Sequence, residues 1–303
     1  MNNNKSQILL TNDDSIHSPG LWAAAEALDP LGFVHVVAPL YQQTGTGHSM
    51  PNKSSGIIEV MTLHVNGRDW TVYAVDGSPG QAVVHGIYDV IKSKPDLVVS
   101  GINFGENVGA AITISGTVGA ALEAASLEIP ALAVSMQTAP EYHLSHSKDV
   151  DFSVAGYFTH KIAEVMLEKP LPKDVDVIKM DIPFGATPET PWEVTRQSRQ
   201  RYYFPIPSTR TSFSEKAPVA YEIRYDPDTL ENDGDIFTVL IDQKVSVTPL
   251  SIDMTSRTNF PALRALLEDW EEYDKQAGVV GCSSARRMIS SDLRLFQFIL
   301  MAH

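Results

Sequence analysis

The stretch Gln7-Ile8-Leu9-Leu10-Thr11-Asn12-Asp13-Asp14-Ser15 runs a short apolar segment straight into a polar turn. So few apolar residues, bounded by turn formers, fit a strand buried on both faces, which is the habit of parallel α/β sheets. Ligands in open sheets of that kind bind beyond the carboxyl ends of the strands. Asp13 and Asp14 therefore fall where chemistry is expected. Shortly after them, Ser18 and Pro19 supply an N-cap and a first helical residue, predicting a helix from Pro19 to about Leu28.

The same alternation continues for two thirds of the chain. Further strands are expected at Phe33–Val37, Trp70–Val75, Leu97–Ser100, Ala131–Ser135 and Val175–Met180. Helices are expected at Pro79–Ile91, Thr117–Ser126 and Phe152–Leu167. In the last of these, Phe152, Ala155, Phe158, Ile162 and Val165 trace a core face at helical spacing. After Pro183 the pattern changes. Trp192–Thr195, Val219–Tyr225 and Phe237–Ile241 read as strands without intervening helices, an antiparallel or hairpin extension. The tail reads as helical over Ala262–Tyr273 and from Ser284 to about Leu300, with Glu268–Glu272 as a solvated helix face.

Composition narrows the function. The chain has 303 residues, 43% of them hydrophobic and 20% charged, so it can fold around its own core without disulfides or metals. Its single cysteine, Cys282, excludes a disulfide framework and a CxxC-type zinc site. A net charge of −14 argues against nucleic-acid polymers and anionic membranes as partners. A small anion remains compatible if local groups offset the repulsion. No apolar run approaches the roughly 18 residues of a membrane span, and Met1–Gln7 does not lead into a signal-peptide core. A cytoplasmic location is the expectation.

Four loops carry candidate chemistry. In Leu10–Ser15 the adjacent carboxylates of Asp13 and Asp14 repel each other unless a cation such as Mg²⁺ or Mn²⁺ neutralises them, although Asn, Asp and Ser also favour plain turns. In Val99–Asn107, glycines allow close approach and Asn103 offers an amide oxygen to a metal or an amide hydrogen to phosphate. In Ser115-Gly116-Thr117-Val118-Gly119, Ser115 and Thr117 stand at a helix N-terminus, where N–H groups and the helix dipole favour an anion or merely a cap. Gln42–His48 offers the Thr44 hydroxyl as a ligand and His48 as an aid to proton transfer. There is no GxxxxGK[ST], HExxH or early GxGxxG motif, and Gly281–Ala285 falls short of a nucleophile elbow. Together these loops favour metal-assisted phosphoester hydrolysis, with donors from the second and third loops stabilising developing charge.

Ile8–Asp14, Ser18-Pro19-Gly20, Val99–Gly105, Ser115–Ala121 and Val245-Ser246-Val247-Thr248-Pro249-Leu250 resemble, in that order, the motifs of the SurE family of survival-protein 5′/3′-nucleotidases and stationary-phase acid phosphatases. The resemblance implies a Rossmann-like, three-layer α/β fold with a mostly parallel sheet, a C-terminal β-hairpin extension and a helical tail. It implies a phosphatase domain over residues 1–255 and a tail over 256–303. It also implies a homodimer or homotetramer that hydrolyses nucleoside monophosphates, or other small phosphomonoesters, with one divalent ion per subunit. Metal ligands carry over to Asp13, Asp14, Thr44 and Asn103, with Asp13 and Asp14 catalytic. Phosphate contacts carry over to Asn103, Asn107, Ser115, Gly116 and Thr117. The alternative is a nucleotide-binding regulatory protein that keeps the fold without turnover.

Several positions depart from the family pattern. Thr44 stands for Ser and Ser15 for Gly. Ala110-Ala111 and Ile114 replace acidic residues and a Tyr, and Gly80-Gln81 replaces Ala-Asp. Arg196, Arg199 and Arg201 form a basic cluster that either guides phosphate or lies on a solvated strand edge.

Overall fold

A computed structural model describes residues 5–276, which fall into two compact units, one through Asp253 and one from Met254 onward. In chain order the elements are β1 (Ser6–Thr11), α1 (Pro19–Leu28), β2 (Gly32–Pro39), β3 (Ile58–Val65), β4 (Arg68–Val75), α2 (Pro79–His85), β5 (Leu97–Phe104) and α3 (Gly116–Ser126). Next come β6 (Ala131–Met136), α4 (Ser153–Glu168), β7 (Val177–Ile182), β8 (Trp192–Val194), β9 (Tyr203–Ile206), β10 (Ala220–Ile223), α5 (Asp235–Leu240) and β11 (Val245–Leu250). Helix α6 (Phe260–Gln276) lies in the second unit.

Among the described residues the main sheet has nine strands, ordered β3-β4-β2-β1-β5-β6-β7-β11-β8. Strands β4, β2, β1, β5, β6 and β7 run parallel; β3 and β11 are antiparallel to their neighbours β4 and β7. From β1 the chain builds outward to β2 and β4, then crosses back to place β5 on the other side of β1. The gap between the ends of β1 and β5 is thus the topological switch point, where the two following loops part and leave a crevice.

Side-chain alternation along β1 builds two cores at once. Ile8 and Leu10 join one buried cluster with Leu21 and Trp22 of α1 and Phe158 of α4. Leu9 joins the other, with Val83 of α2 and Val118 and Ala121 of α3. Both faces of the strand are covered, which is why its sequence is continuously apolar rather than alternating. On α4 the expected core stripe holds at Phe152, Ala155 and Phe158, with Ile162 packed against the cluster, but Val165 is exposed. Ala163 and Met166 are buried instead, so the stripe drifts by one position as a 3.6-residue turn requires.

Three expectations change. Phe237–Ile241 is not a strand but lies largely within the short helix α5, where Ile236 and Val239 pack against Val108 and Tyr202. A β-branched apolar run has no intrinsic period, and a cluster on one side pulled it into a helix. The expected helix Pro79–Ile91 is α-helical only to His85 and continues as a π-helical turn over Gly86–Ile91, closed by left-handed Lys92. No strand is expected between Phe33–Val37 and Trp70–Val75, yet β3 pairs with β4 across Asn66-Gly67, both at positive φ. That dipeptide is the usual signal of a tight hairpin.

The second sheet is the hairpin of β9 and β10, paired Tyr203 to Ile223 through Ile206 to Ala220. Helix α6 contains the expected Ala262–Tyr273 helix, and Glu268 sits near Arg264 one turn earlier at 3.7 Å. The helix expected from Ser284 to Leu300 lies outside the described residues.

Candidate active site

Asp13 and Asp14 follow β1 directly and are almost fully buried, at 3% and 1% exposure. The Asp14 carboxylate accepts hydrogen bonds from the Phe104 backbone N–H (3.0 Å) and from Gln42 Nε2 (2.9 Å). Asp13 Oδ1 accepts one from the Thr117 hydroxyl at 2.5 Å. No cationic side chain pairs with either carboxylate among the described residues. Burial raises the pKa of both groups, and the neighbouring Asp13 charge raises that of Asp14 further. The Thr117 hydroxyl and the amides at the start of α3 pull Asp13 back towards ionisation.

Asn103 completes the constellation. The register of β5 against β6 shifts between Ser100 and Asn103, interrupting the ladder just before the Asn103 side chain. Its Nδ2 donates to the carbonyls of Phe104 (3.1 Å) and Gly105 (2.7 Å), which fixes Oδ1 on the side of Thr117, 3.2 Å from the hydroxyl oxygen. A hydroxyl has one proton, and the shorter contact to Asp13 takes it. Asn103 Oδ1 therefore faces another oxygen. The Asp13 carboxylate and the Asn103 amide oxygen thus share a single hydroxyl proton, an acceptor surplus in a buried place beside the second carboxylate of Asp14.

Helix α3 closes the other side. Ser115 is its N-cap, accepting from Val118 N–H at 3.1 Å. At Gly116 a Cβ would come within 2.7 Å of Asp13 Cβ and 2.8 Å of Asp13 Oδ2, so only glycine lets the helix end approach the carboxylate. Ser115, Gly116, Thr117, Asp13, Asp14 and Asn103 thus lie together.

The remaining sequence candidates are placed less directly. Thr44 is exposed in a turn, and its loop is tied to the site one residue earlier, where Gln43 N–H donates to Asp13 O at 2.7 Å. Asn107 turns its amide away to Ser135 Oγ (2.8 Å), while its backbone N–H donates to Asp181 Oδ1 (2.7 Å). His48 Nε2 pairs with Glu123 at 2.5 Å rather than with the carboxylates. Arg196 is held by Asp233 at 2.7 Å, and Arg201 Nε donates to Tyr203 O, which favours the strand-edge reading of the basic cluster.

Sequence reasoning missed the residues that brace the pair. Gln42 bridges Asp14 to the His143 carbonyl (3.0 Å), and His146 Nε2 lies 2.7 Å from Asp14 O and 3.2 Å from Ser15 Oγ. Ser15 sits at φ 83°, the left-handed region that glycine tolerates best, and its hydroxyl bond to His146 accompanies that conformation. The available signal was the polar residues His143, Ser145 and His146, which follow the expected strand Ala131–Ser135 and so are bound for the same sheet edge.

An open, doubly covered α/β sheet with paired carboxylates and a helix N-terminus at its switch point defines a Rossmann-like protein with a candidate ligand crevice at that edge. The family model described as "Survival protein SurE" matches residues 8–204, and the chain belongs to that family. It is 39% identical over 262 residues to the 5′-nucleotidase SurE of Thermococcus kodakarensis, spanning 86% of this chain and 98% of the relative. To the 5′-nucleotidase SurE of Methanocella arvoryzae it is 41% identical over 267 residues, spanning 87% and 98%. The crystal structure of the SurE protein from Aquifex aeolicus matches with a TM-score of 0.65 at 31% identity, covering 86% of this chain and 97% of that one.

Proposed function

We propose that the protein is a divalent-metal-dependent phosphomonoester hydrolase acting on nucleoside 5′-monophosphates, with 3′-esters as further substrates. The observation that carries this reading is the acceptor surplus at the switch point. Asp13 and Asn103 Oδ1 share one hydroxyl proton, the Asp14 carboxylate beside them has only two N–H donors, and no cationic side chain among the described residues balances the pair. This donor set is all oxygen, as a hard cation prefers, and includes two negative charges. Asp13, Asp14 and Asn103 would hold the ion, with Thr44 reaching it from the loop tethered at Gln43. Among the described residues no third His, Cys, Asp or Glu joins them, so the neutral oxygens of Asn103 and Thr44 complete the set.

A bound Mg²⁺ or Mn²⁺ supplies Lewis-acid polarisation of the phosphoryl oxygen and a water of lowered pKa. The protein's own residues do the rest. The N–H groups at the start of α3, with Ser115, Gly116 and Thr117, orient phosphate oxygens and stabilise charge that develops on them. Asp13 takes the proton of the attacking water. Thr117 holds the Asp13 carboxylate in place, and Gln42 and Phe104 N–H hold that of Asp14. The proposal includes one divalent ion per subunit, a homodimer or homotetramer, a cytoplasmic location, and the division into a phosphatase domain over 1–255 and a tail over 256–303.

The test is phosphate release from p-nitrophenyl phosphate and AMP with Mn²⁺ or Mg²⁺, repeated in EDTA and with Asp13→Asn. Release should vanish in EDTA and in the variant. Release that survives either treatment overturns the metal–carboxylate mechanism. AMP binding without release points instead to a regulatory nucleotide-binding protein.

A further inference from the structure

Outside the carboxylate pair, the most unusual buried acid is Glu106, three residues beyond Asn103 and 1% exposed. Its Oε1 accepts from the Tyr202 hydroxyl at 2.5 Å, and its main-chain oxygen accepts from the Tyr203 hydroxyl at 2.9 Å. Oε2 is buried with no partner in hydrogen-bonding geometry among the described residues, although the Gln137 side chain is close enough to favour the charge of the carboxyl. Tyr202 and Tyr203 lead into and begin β9, so one residue of the site loop holds the root of the hairpin twice. Tyr202 is itself buried in a small core with Val108, Ile236 and Val239.

A second tie joins the same two bodies. On β10, the Tyr221 hydroxyl lies 2.8 Å from His143 Nδ1, with the two rings stacked at 6.2 Å, and the Tyr203 ring meets Tyr221 edge-on at 5.1 Å. The His143 carbonyl in turn accepts from Gln42, which donates to Asp14. The hairpin therefore reaches the site by two routes, through Glu106 into the Asn103–Asn107 loop and through His143 and Gln42 to Asp14.

We propose that Glu106 is a positioning residue. Its side chain latches the β9–β10 hairpin onto the site loop and so sets the placement of Asn103 and Asn107, and the latch loosens when the carboxyl ionises. The activity readout rests on the phosphatase reading above; the latch itself does not.

The surroundings of Glu106 explain the sensitivity. From β9 and β10 it faces Tyr202, Tyr203 and Tyr221, with Tyr225 just beyond, and burial and the Glu106 charge hold the first three hydroxyls above their ordinary range. From β7 and α5 come Asp181, Lys179 and Asp235; Lys179 is committed to the two aspartates, and Asp181 adds repulsion. His143, whose pKa burial lowers, offers little compensating charge. Burial pushes the Glu106 carboxyl up to about 7, the Tyr202 bond opposing it. An ionised Glu106 is thus disfavoured while the hairpin covers it and relieved when the hairpin lifts.

The test uses the full chain, with hydrogen exchange of the 203–223 amides, corrected for intrinsic rates, and kcat and KM for AMP with Mn²⁺. Hairpin protection in the wild type should fall about tenfold between pH 6 and 8. In Glu106→Gln, whose amide oxygen still accepts from Tyr202, it should stay level, and kcat/KM should hold at pH 8. Tyr202→Phe, which keeps the ring, should loosen the hairpin at every pH and raise KM several-fold. Hairpin protection that follows the same pH course in wild type and Glu106→Gln overturns the latch. A hairpin that loosens with kcat/KM unchanged overturns the positioning role. If no form of the protein releases phosphate while protection behaves as expected, the phosphatase reading fails and the latch stands.

Discussion

The Thr117 hydroxyl and the Asp13 carboxylate are joined at 2.5 Å although 104 residues separate them in the chain. Thr117 lies in the first turn of α3 and Asp13 in the loop after β1, so this bond ties the start of the helix to the carboxylate pair across the switch-point crevice. It follows that Thr117→Val, which keeps the shape and removes the hydroxyl, should lower kcat for AMP roughly 10- to 100-fold while leaving the fold intact. Circular dichroism and Mn²⁺-dependent turnover check this, and Thr117→Ser should restore most of the activity.

Asp13 and Asp14 bury two carboxylates side by side with no cationic partner among the described residues, an arrangement that the proposed function assigns to ligand binding rather than to the apo fold. Asp14→Asn should therefore melt at the same temperature as the wild type or higher in EDTA, while phosphate release falls by at least ~100-fold. Differential scanning calorimetry in EDTA beside a turnover assay measures both; a large loss of apo stability would contradict the assignment.

Metal should act on stability through the same residues. At a concentration 100 times its Kd, Mn²⁺ should add about 2.7 kcal/mol to the wild type, a rise in Tm of several degrees. The rise should be absent in Asp13→Asn, and thermal melts across a Mn²⁺ titration give the result directly.

The Lys179 ammonium lies between Asp181 and Asp235, all three fully buried. Asp181 also holds Asn107 N–H, and Asp235 holds Gly109 N–H at 3.1 Å. Lys179→Met leaves two buried carboxylates without their cation and should cost about 3–5 kcal/mol, read from urea denaturation. Adding Asp181→Asn and Asp235→Asn to it should recover much of that loss.

Glu106 also sets a pH dependence of global stability. Its ordinary value is 4.5 and its folded value about 7, so the folded chain holds that proton more tightly than the unfolded one. The stabilisation is complete below pH 4.5 and lost as pH rises through 7, on the order of 3 kcal/mol in all. Urea denaturation of wild type and Glu106→Gln from pH 4.5 to 8 should show the difference between them growing with pH and levelling off above 7.

The central strands, α1, α3 and α4 were legible because each buries a regular pattern between recognisable stop signals, as Ser18-Pro19 and Ser115-Gly116 do for their helices. The Asp13-Asp14 pair marked a candidate site from sequence because two adjacent carboxylates at a strand end repel each other unless a cation neutralises them, and the structure buries both. Strand β3 was missed, because its half-exposed residues lack the continuous apolar run that marks the inner strands, although Asn66-Gly67 carries the signal of its hairpin. Helix α5 was missed as well, since Ile236, Phe237, Thr238, Val239 and Leu240 favour an extended chain and only packing against Tyr202 and Val108 selects the helix.

What the sequence alone determined is the local material: buried parallel strands, the loops that end them, and carboxylates, amides and a helix cap on those loops. Each of these is a short-range property, set by side-chain periodicity and capping. The tertiary structure alone decided the partnerships. It put Thr117 against Asp13, gave Gln42 to Asp14, turned Asn107 towards Ser135, and locked Tyr202 onto Glu106. Those contacts depend on which strands lie side by side and how far each loop reaches over the sheet edge, and no local pattern carries that information.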